Sequence, residues 1–583
     1  MINIEYFKLP IQYIEHKKTS ETIKDDLELV QFKDIKNENE KDKENSQFAS
    51  LYEYIFEPTN IFSKSTSNLW SKYYTTDISF LTQTQQMIYK FKPLQYDYDE
   101  TKFEYIYTIY NDITVDNNFL EKYQYIDISY FKRFNNSEHI LQSISMINLT
   151  SPLLSVLLPI ILLILPLFIF RLYGLNLSIS SYLYILKQVF AKHPIGSVFM
   201  HFSSASLDKK IYLTFTLVLY LFQMVQNAKS CYKFYKNLQI MYDKLNDIND
   251  YIDYTLCSFD HFEKHATNYD KYYLFISNLN ENKDVLLKYK TKLDQIIPCK
   301  YRMNKMFNNG KMMKCFYMLY NDAELQKALM YSFGFNGFMY NVSLLNKKMN
   351  DKKISMCKFK KSKTKFKHAY YPIIKNKLVK NSYKLNKKLL ITGPNASGKT
   401  TILKTTLLNI LFSQQIGLGF YSSAIIKPYT YLHCYLNIPD TSSRDSLFQA
   451  EARRCKTIIT ELSHSNDKEN HFCIFDELYS GTNPYEAISS SVALLKYMSK
   501  YKNVDYLLTT HFLDVCKQLD RKKEFMNCYM NTIENKDDFE YTYQLLKGIS
   551  QVKGGVKVLK DLEYPNEIIN DTKYILNSLN IHS

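Results

Sequence analysis

The sequence predicts an α/β P-loop nucleotide-binding domain at its C-terminal end, preceded by a mainly α-helical core or lever region and a transmembrane hairpin. Three observations carry this. Of 13 glycines, the first is Gly174 and eight fall from Gly393 to Gly555. Phosphate loops and tight turns need glycine, whereas helices avoid it. A glycine-rich loop at Gly393 sits between an apolar strand and a helical pattern, and residues 153–170 form an uncharged apolar run.

At 583 residues the chain exceeds one hydrophobic core. With 46% hydrophobic and 23% charged residues, it excludes global disorder and collagen. The ten cysteines show no CxxC pair and no regular spacing, which argues against zinc and disulfide scaffolds and for a reducing compartment. The first thirty residues mix Glu, Lys and Asp with apolar positions, so no secretory signal is expected and the N-terminus is placed in the cytosol.

Residues 1–150 form an N-terminal region. Within it, 33–48 read as disordered, because Lys33 to Glu44 is charged and almost free of apolar side chains. Phe103 to Tyr110 fits strand or helix. Phe48 to Lys90, with the single Trp70, is assigned to the helical core.

Residues 151–226 are the membrane segment. Leu153 to Phe170 runs eighteen residues without charge or amide, enough at about 1.5 Å per residue to cross a bilayer core. A buried core helix is the alternative. The stretch 211–225 is shorter and includes Thr214, Thr216 and Gln223, so it spans or merely packs. Basic residues flank both sides and leave the orientation open.

Residues 227–350 are the helical core or lever region. Phe234, Leu238, Met241, Leu245, Ile248 and Ile252 recur at heptad spacing, which predicts a long helix with one apolar edge, packed within the chain or against a second copy. Residues 351–583 are the nucleotide-binding domain. Between Asp351 and Lys388 there are 14 lysines and one aspartate, so much of the overall charge of +16 is local. Such a patch tracks phosphates, meets an anionic membrane, or is a solvated face.

Lys388 to Thr392 is an apolar strand leading into Gly393-Pro394-Asn395-Ala396-Ser397-Gly398-Lys399-Thr400, with Thr401 opening the helix that follows. This is GxxxxGK[ST] in its strand–loop–helix context. Backbone N–H groups of the loop face phosphate oxygens, Lys399 neutralises the β and γ phosphates, and Thr400 ligates Mg²⁺. ATP and Mg²⁺ are therefore the expected cofactors. Phe472 to Glu477 is a second apolar strand ending in two carboxylates: Asp476 is expected in the Mg²⁺ shell and Glu477 beside the attacking water. A third strand, Val504 to Thr510, delivers His511, either a γ-phosphate sensor or a satisfied structural histidine.

Taken together, Thr392 to Thr400, Ser446-Leu-Phe-Gln-Ala-Glu451, Phe475 to Thr482, Thr510-His511-Phe512, Leu546 to Ser550 and Tyr564 to Ile569 resemble the C-terminal ATPase domain of the MutS mismatch-repair family, related to ABC ATPases. The resemblance covers roughly 365–575. It implies ATP hydrolysis, a homodimer or heterodimer with nucleotide between head-to-tail domains, Ser446 reaching the partner's γ-phosphate in trans, a loop at Gly481 to Asn483 that communicates between sites, and DNA as a partner.

The departures are as informative. No glycine precedes Gly174, so the family's Gly-x-Phe-x-Glu mismatch reader is missing from the N-terminal region. Ala396-Ser397 replaces Met-Gly, and Asn483 to Ala487 replaces Ser-Thr-Tyr-Asp-Gly. The expectation is a divergent, membrane-anchored branch with its ATPase domain facing the cytosol. An ATP-driven switch acting on a membrane or protein partner without DNA is the alternative.

Overall fold

The computed structural model describes residues 4–32, 48–96, 98–173, 179–296, 308–374, 378–436, 447–520, 522–535, 538–550, 552 and 555–581. The expected disordered stretch lies, over 33–47, outside the described residues. The chain divides into two compact units, Met1–Asp97 with Ser258–Asn280 and Met330–Ser583, and Tyr98–Cys257 with Glu281–Leu329.

The first unit has a mixed α/β C-terminal part, as predicted. Beyond a short antiparallel pair, β1 (Lys17–Lys18) and β2 (Tyr73–Tyr74), the strands are β3 (Ser355–Phe359), β4 (Thr364–Ala369), β5 (Asn381–Leu385), β6 (Lys388–Thr392), β7 (Leu418–Gly419), β8 (Ser423–Ile426), β9 (Tyr431–Tyr435), β10 (His471–Asp476), β11 (Val504–Thr509), β12 (Phe525–Asn535) and β13 (Asp538–Lys547). A six-stranded sheet has the order β13-β12-β6-β11-β10-β9, parallel except for the β12–β13 hairpin. A five-stranded sheet has the order β5-β4-β8-β3-β7.

The central strands read as continuous apolar runs because helices cover both faces of a parallel sheet. On one face Cys473, Phe475, Tyr506 and Leu508 pack with Val492, Leu495, Met498, Val515 and Leu519 of the helices Pro484–Ser499 and Leu513–Asp520. The helix Lys399–Ile416 is buried on every side over its last twelve residues. It is therefore a core helix, not a surface one, and shows no single apolar stripe.

That burial includes polar groups at its C-terminal end, and Tyr52, Trp70 and Thr75 satisfy them together with Tyr429. Gln415 Nε2 donates to Trp70 O at 2.6 Å and its Oε1 accepts from Tyr52. Gln414 exchanges hydrogen bonds with the backbone of Thr75 and Tyr429. Aromatic rings fill the same unit further out: Trp70 stacks on Phe56 and Phe338, and Phe62 on Phe333. The segment holding Trp70 is thus built onto the phosphate-loop helix, which no local pattern indicated.

The second unit is helical. Phe103–Thr114, left open between strand and helix, is a helix, and Phe103, Ile106, Ile109 and Ile113 are its buried side. Elsewhere in this unit Phe119 stacks on Phe316 and Tyr320. The helix Leu207–Ala266 runs for 60 residues, about 90 Å at 1.5 Å per residue, with nothing to interrupt it. All six heptad residues from Phe234 to Ile252 are buried, which matches packing within the chain.

The run 153–170 lies inside the helix Glu138–Leu172, and Leu153, Ile161, Leu165 and Ile169 of that run are exposed. Among the described residues, the helix Leu207–Ala266 holds the stretch long and apolar enough to cross a membrane, and none of it is buried. The shorter of the two expected spans, 211–225, therefore belongs to a longer helix. The two helices touch where Tyr220 Oη donates to Ser155 O at 3.2 Å and Cys231 Sγ to Leu149 O at 3.3 Å.

Candidate functional site

The site forms where β6, β10 and β11 end together. The register pairs Asp476 with Thr509 and Thr509 with Ile391, which brings the ends of the three strands to within one residue of each other at the sheet's C-terminal edge. Ligands of parallel sheets gather at this edge because loops and helix N-termini open there.

The phosphate loop turns out of β6 and into the helix Lys399–Ile416 through Gly398 at φ 93°, a left-handed conformation that glycine adopts freely. A Cβ on Gly393 would come within 2.8 Å of Ser397 Oγ and 3.1 Å of Met530 Cβ, so the loop closes only around glycine. Pro394 and Ser397 are buried, whereas Asn395 and Ala396 are exposed at the tip. Ser397 Oγ is buried without a hydrogen-bond partner. An unpartnered hydroxyl inside a loop of inward-facing amides is what a phosphate oxygen would satisfy.

Lys399 is 6% exposed and donates to Gly393 O and Pro394 O, each at 3.1 Å. Burial lowers its pKa from the ordinary lysine value, and the charges of Glu477 and Asp476 oppose that shift. Its Nζ also stands 3.0 Å from His511 Nε2, and the same Nε2 lies 2.8 Å from Glu477 Oε1. One ring nitrogen cannot accept from lysine and donate to a carboxylate at once. Transfer of Lys399 onto phosphate oxygens would remove this conflict and leave His511 to Glu477 alone.

Thr400 Oγ1 donates to Asp476 Oδ2 at 2.7 Å, and Thr509 Oγ1 donates to the other carboxylate oxygen. A hydroxyl and a carboxylate side by side, next to a phosphate cradle, fit Mg²⁺, which takes few protein oxygens and completes its shell with water and phosphate. Bound there, Mg²⁺ would supply charge neutralisation to the phosphates. Glu477 stands one residue further on at φ 53°, outside the strand, with its N–H on Thr509 O at 3.0 Å. The hydrogen bond from His511 holds its carboxyl below the usual range, against the opposing effect of burial, and the charges of His511 and Lys399 add to the lowering. Thr401 lies in the first turn of the helix beside the loop and lines the cavity described next. The expected residues 393–401, 476, 477 and 511 are thus gathered at one place. Ser446, expected to act in trans, lies outside the described residues.

Two parts of the site were not legible in advance. A cavity of about 580 Å³ opens beside Ala396, Thr400 and Thr401, walled by Tyr371, Ile374, Leu378, Val379, Met530 and Tyr543. Its apolar walls continue from the phosphate loop and suit a flat ring. These residues come from three separated segments, so no spacing could announce them.

The other is the part played by Glu451, which the sequence marked only as the last residue of the Ser446–Glu451 motif and which is 2% exposed on the helix Leu447–His464. Its Oε1 accepts from Ser480 N at 3.1 Å and Ser480 Oγ at 2.9 Å, and its Oε2 from Gly481 N at 3.2 Å. It therefore anchors the turn after Glu477, where Tyr479 also holds a positive φ of 60°. Beyond the turn, Asn483 caps the helix Pro484–Ser499 through its side chain.

Residues 389–580 match the family model of MutS domain V. The chain is 26% identical over 200 residues to the DNA mismatch repair protein MutS of Prochlorococcus marinus (strain AS9601), covering 34% of this chain and 21% of that protein. It is 32% identical over 198 residues to MutS protein homolog 4 of Mus musculus, covering 32% and 20%. It is 29% identical over 208 residues to Endonuclease MutS2 of Lactococcus lactis subsp. cremoris (strain MG1363), covering 35% and 26%. The chain thus spans about a fifth to a quarter of the length of these relatives, and each match covers about a third of this chain.

Proposed function

We propose that this protein is a MutS-like ATPase, dimeric and membrane-anchored, whose ATP cycle is coupled to DNA and which works without the family's mismatch-reading element. The observation that carries the ATPase reading is the constellation of Lys399, Thr400, Asp476, Glu477 and His511 around a phosphate loop with an unpartnered Ser397 hydroxyl. In this reading the loop amides and Lys399 bind the triphosphate, and the apolar cavity wall orients the base. Thr400 and Asp476 hold Mg²⁺. Glu477, ionised and steered by His511, accepts a hydrogen bond from the attacking water and aligns it.

The relatives' names supply the DNA clause, since two are DNA mismatch repair or endonuclease proteins of the MutS type. Dimerisation through Ser446 is proposed on the same likeness. Membrane anchoring rests on the exposed apolar side chains of the stretches 153–169 and 211–225 in the helices 138–172 and 207–266, with the ATPase domain on the cytosolic side where ATP is available.

Those helices also support a second reading, an ATP-driven switch acting on a membrane or protein partner without DNA. ATP turnover by the detergent-solubilised full chain, with and without duplex, mismatched and branched DNA, separates the two. Stimulation by DNA upholds the first reading. Robust turnover indifferent to DNA favours the second, and no turnover refutes both.

A further inference from the structure

The five-stranded sheet has two chemically opposite faces. Cys357, Phe366, Tyr383 and Ala424 point inward and are buried. The residues alternating with them point outward. Across the sheet the register pairs Lys384 with Lys365, Lys365 with Ile425 and Ile425 with Lys358. Three of the four residues in this one cross-strand row are therefore lysines, all exposed. At about 4.8 Å between strands, the row extends roughly 14 Å. Lys367 stands two residues along β4 from Lys365 on the same face, and Lys360, Lys361 and Lys363 crowd the exposed β3–β4 turn.

Like charges directly opposite one another across strands are destabilising. The usual remedy is an interleaved acid. Among the described residues, none of these lysines forms an ion pair with an Asp or Glu side chain. A face that keeps such repulsion in its free state is complementary to a dense line of negative charge.

We infer that this lysine face is a docking surface for the phosphate backbone of nucleic acid. The inference rests on the proposed DNA reading and names where the contact is made. Two features of the face favour a nucleic acid over an anionic bilayer. Apart from the half-buried Ile425 the row is ionic, and no large apolar side chain on these strands is exposed, so the face itself has nothing to insert into a bilayer; the apolar helices proposed as the anchor belong to other segments of the chain. Its lysines also lie in one cross-strand row of roughly 14 Å, which follows a strand of phosphates more closely than a two-dimensional array of headgroups, so the contact inferred is with the backbone.

The test is DNA binding by the full chain in phosphatidylcholine nanodiscs, measured against salt concentration with a short blunt duplex. The variant is Lys358→Gln/Lys365→Gln/Lys384→Gln, with Lys358→Arg/Lys365→Arg/Lys384→Arg as its charge-preserving control. Each phosphate contact contributes about 0.9 to the slope of log affinity against log salt. The glutamine variant is expected to lose about 2.7 from that slope and more than tenfold in low-salt affinity, with basal ATP turnover unchanged and the arginine control binding like wild type.

An unaltered slope in the glutamine variant overturns the inference while leaving the DNA reading intact. Absence of any duplex binding by wild type at low salt overturns the DNA reading itself. Loss of co-sedimentation with phosphatidylserine vesicles, with DNA binding unaffected, assigns the face to lipid and overturns the inference.

Discussion

Glu451→Gln isolates the contact between the helix Leu447–His464 and the turn that follows the water-positioning carboxylate. The change keeps the shape of the side chain but replaces one acceptor oxygen with a donor. With its oxygen toward Ser480, which offers both N–H and hydroxyl, the new amide must face the N–H of Gly481. The bond lost there is 3.2 Å long in the wild type. A hydrogen bond to a charged group is worth about 1.5–3 kcal/mol, and two donors now confront each other in a buried place. A loss of about 2 kcal/mol is the reasonable central value. If it falls on the population of the turn that carries Glu477, turnover drops roughly 30-fold, because 1.36 kcal/mol is tenfold in rate. ATP affinity should change little, since the hydrogen bonds of Glu451 go to Ser480 and Gly481 and, among the described residues, none goes to the phosphate loop. Steady-state ATPase assays paired with equilibrium binding of a fluorescent ATP analogue separate the two quantities. Wild-type turnover in Glu451→Gln would show that the turn holds its shape without the helix, and the reasoning would fail.

Glu477→Gln is expected to retain ATP binding and reduce hydrolysis by two orders of magnitude or more, whereas Lys399→Ala weakens binding itself; equal turnover of Glu477→Gln and wild type would remove the carboxylate from its role. His433 and His471, hydrogen-bonded at 3.0 Å on adjacent strands, are held neutral chiefly by burial, with pKa values lowered to about 3 and about 4 from 6.5. The unfolded chain takes up protons on these groups first, so their contribution is complete above pH 6.5 and is lost as pH falls toward 4 and 3. Melting temperature should decline through that window, and less steeply in His433→Gln; an identical pH profile in the variant would exclude the pair as the cause. Gly417→Ala places a Cβ 2.3 Å from Gln85 Cγ at a backbone φ of +78°. The left-handed strain and the overpacking together cost roughly 3 kcal/mol, to be read as a clear fall in melting temperature.

The phosphate loop, Asp476, Glu477 and His511 were legible because each is tied to the end of an apolar strand by a few covalent bonds. In parallel strands of matched register, strand ends meet at one edge, so motifs distant in the chain become neighbours. The heptad from Phe234 to Ile252 was legible for a similar reason: helical periodicity is local, and one apolar edge must be covered. Phe103–Thr114 was ambiguous because tyrosine, in abundance here, sits equally well on a strand or on the rim of a helix.

By itself, then, the order of residues determined which chemistry this protein can carry out and where its helices and strands run, because those depend on neighbours within a turn or a strand. Tertiary structure alone decided what surrounds them. Trp70 and Tyr52 close over the buried Gln415 of the phosphate-loop helix from more than 340 positions away. The cavity wall is assembled from three segments, Glu451 reaches a turn 29 residues downstream, and Lys358, Lys365 and Lys384 line up across one sheet. Each of these depends on which surfaces the burial of apolar area and the pairing of strands bring face to face, and that is settled only by the whole packed chain.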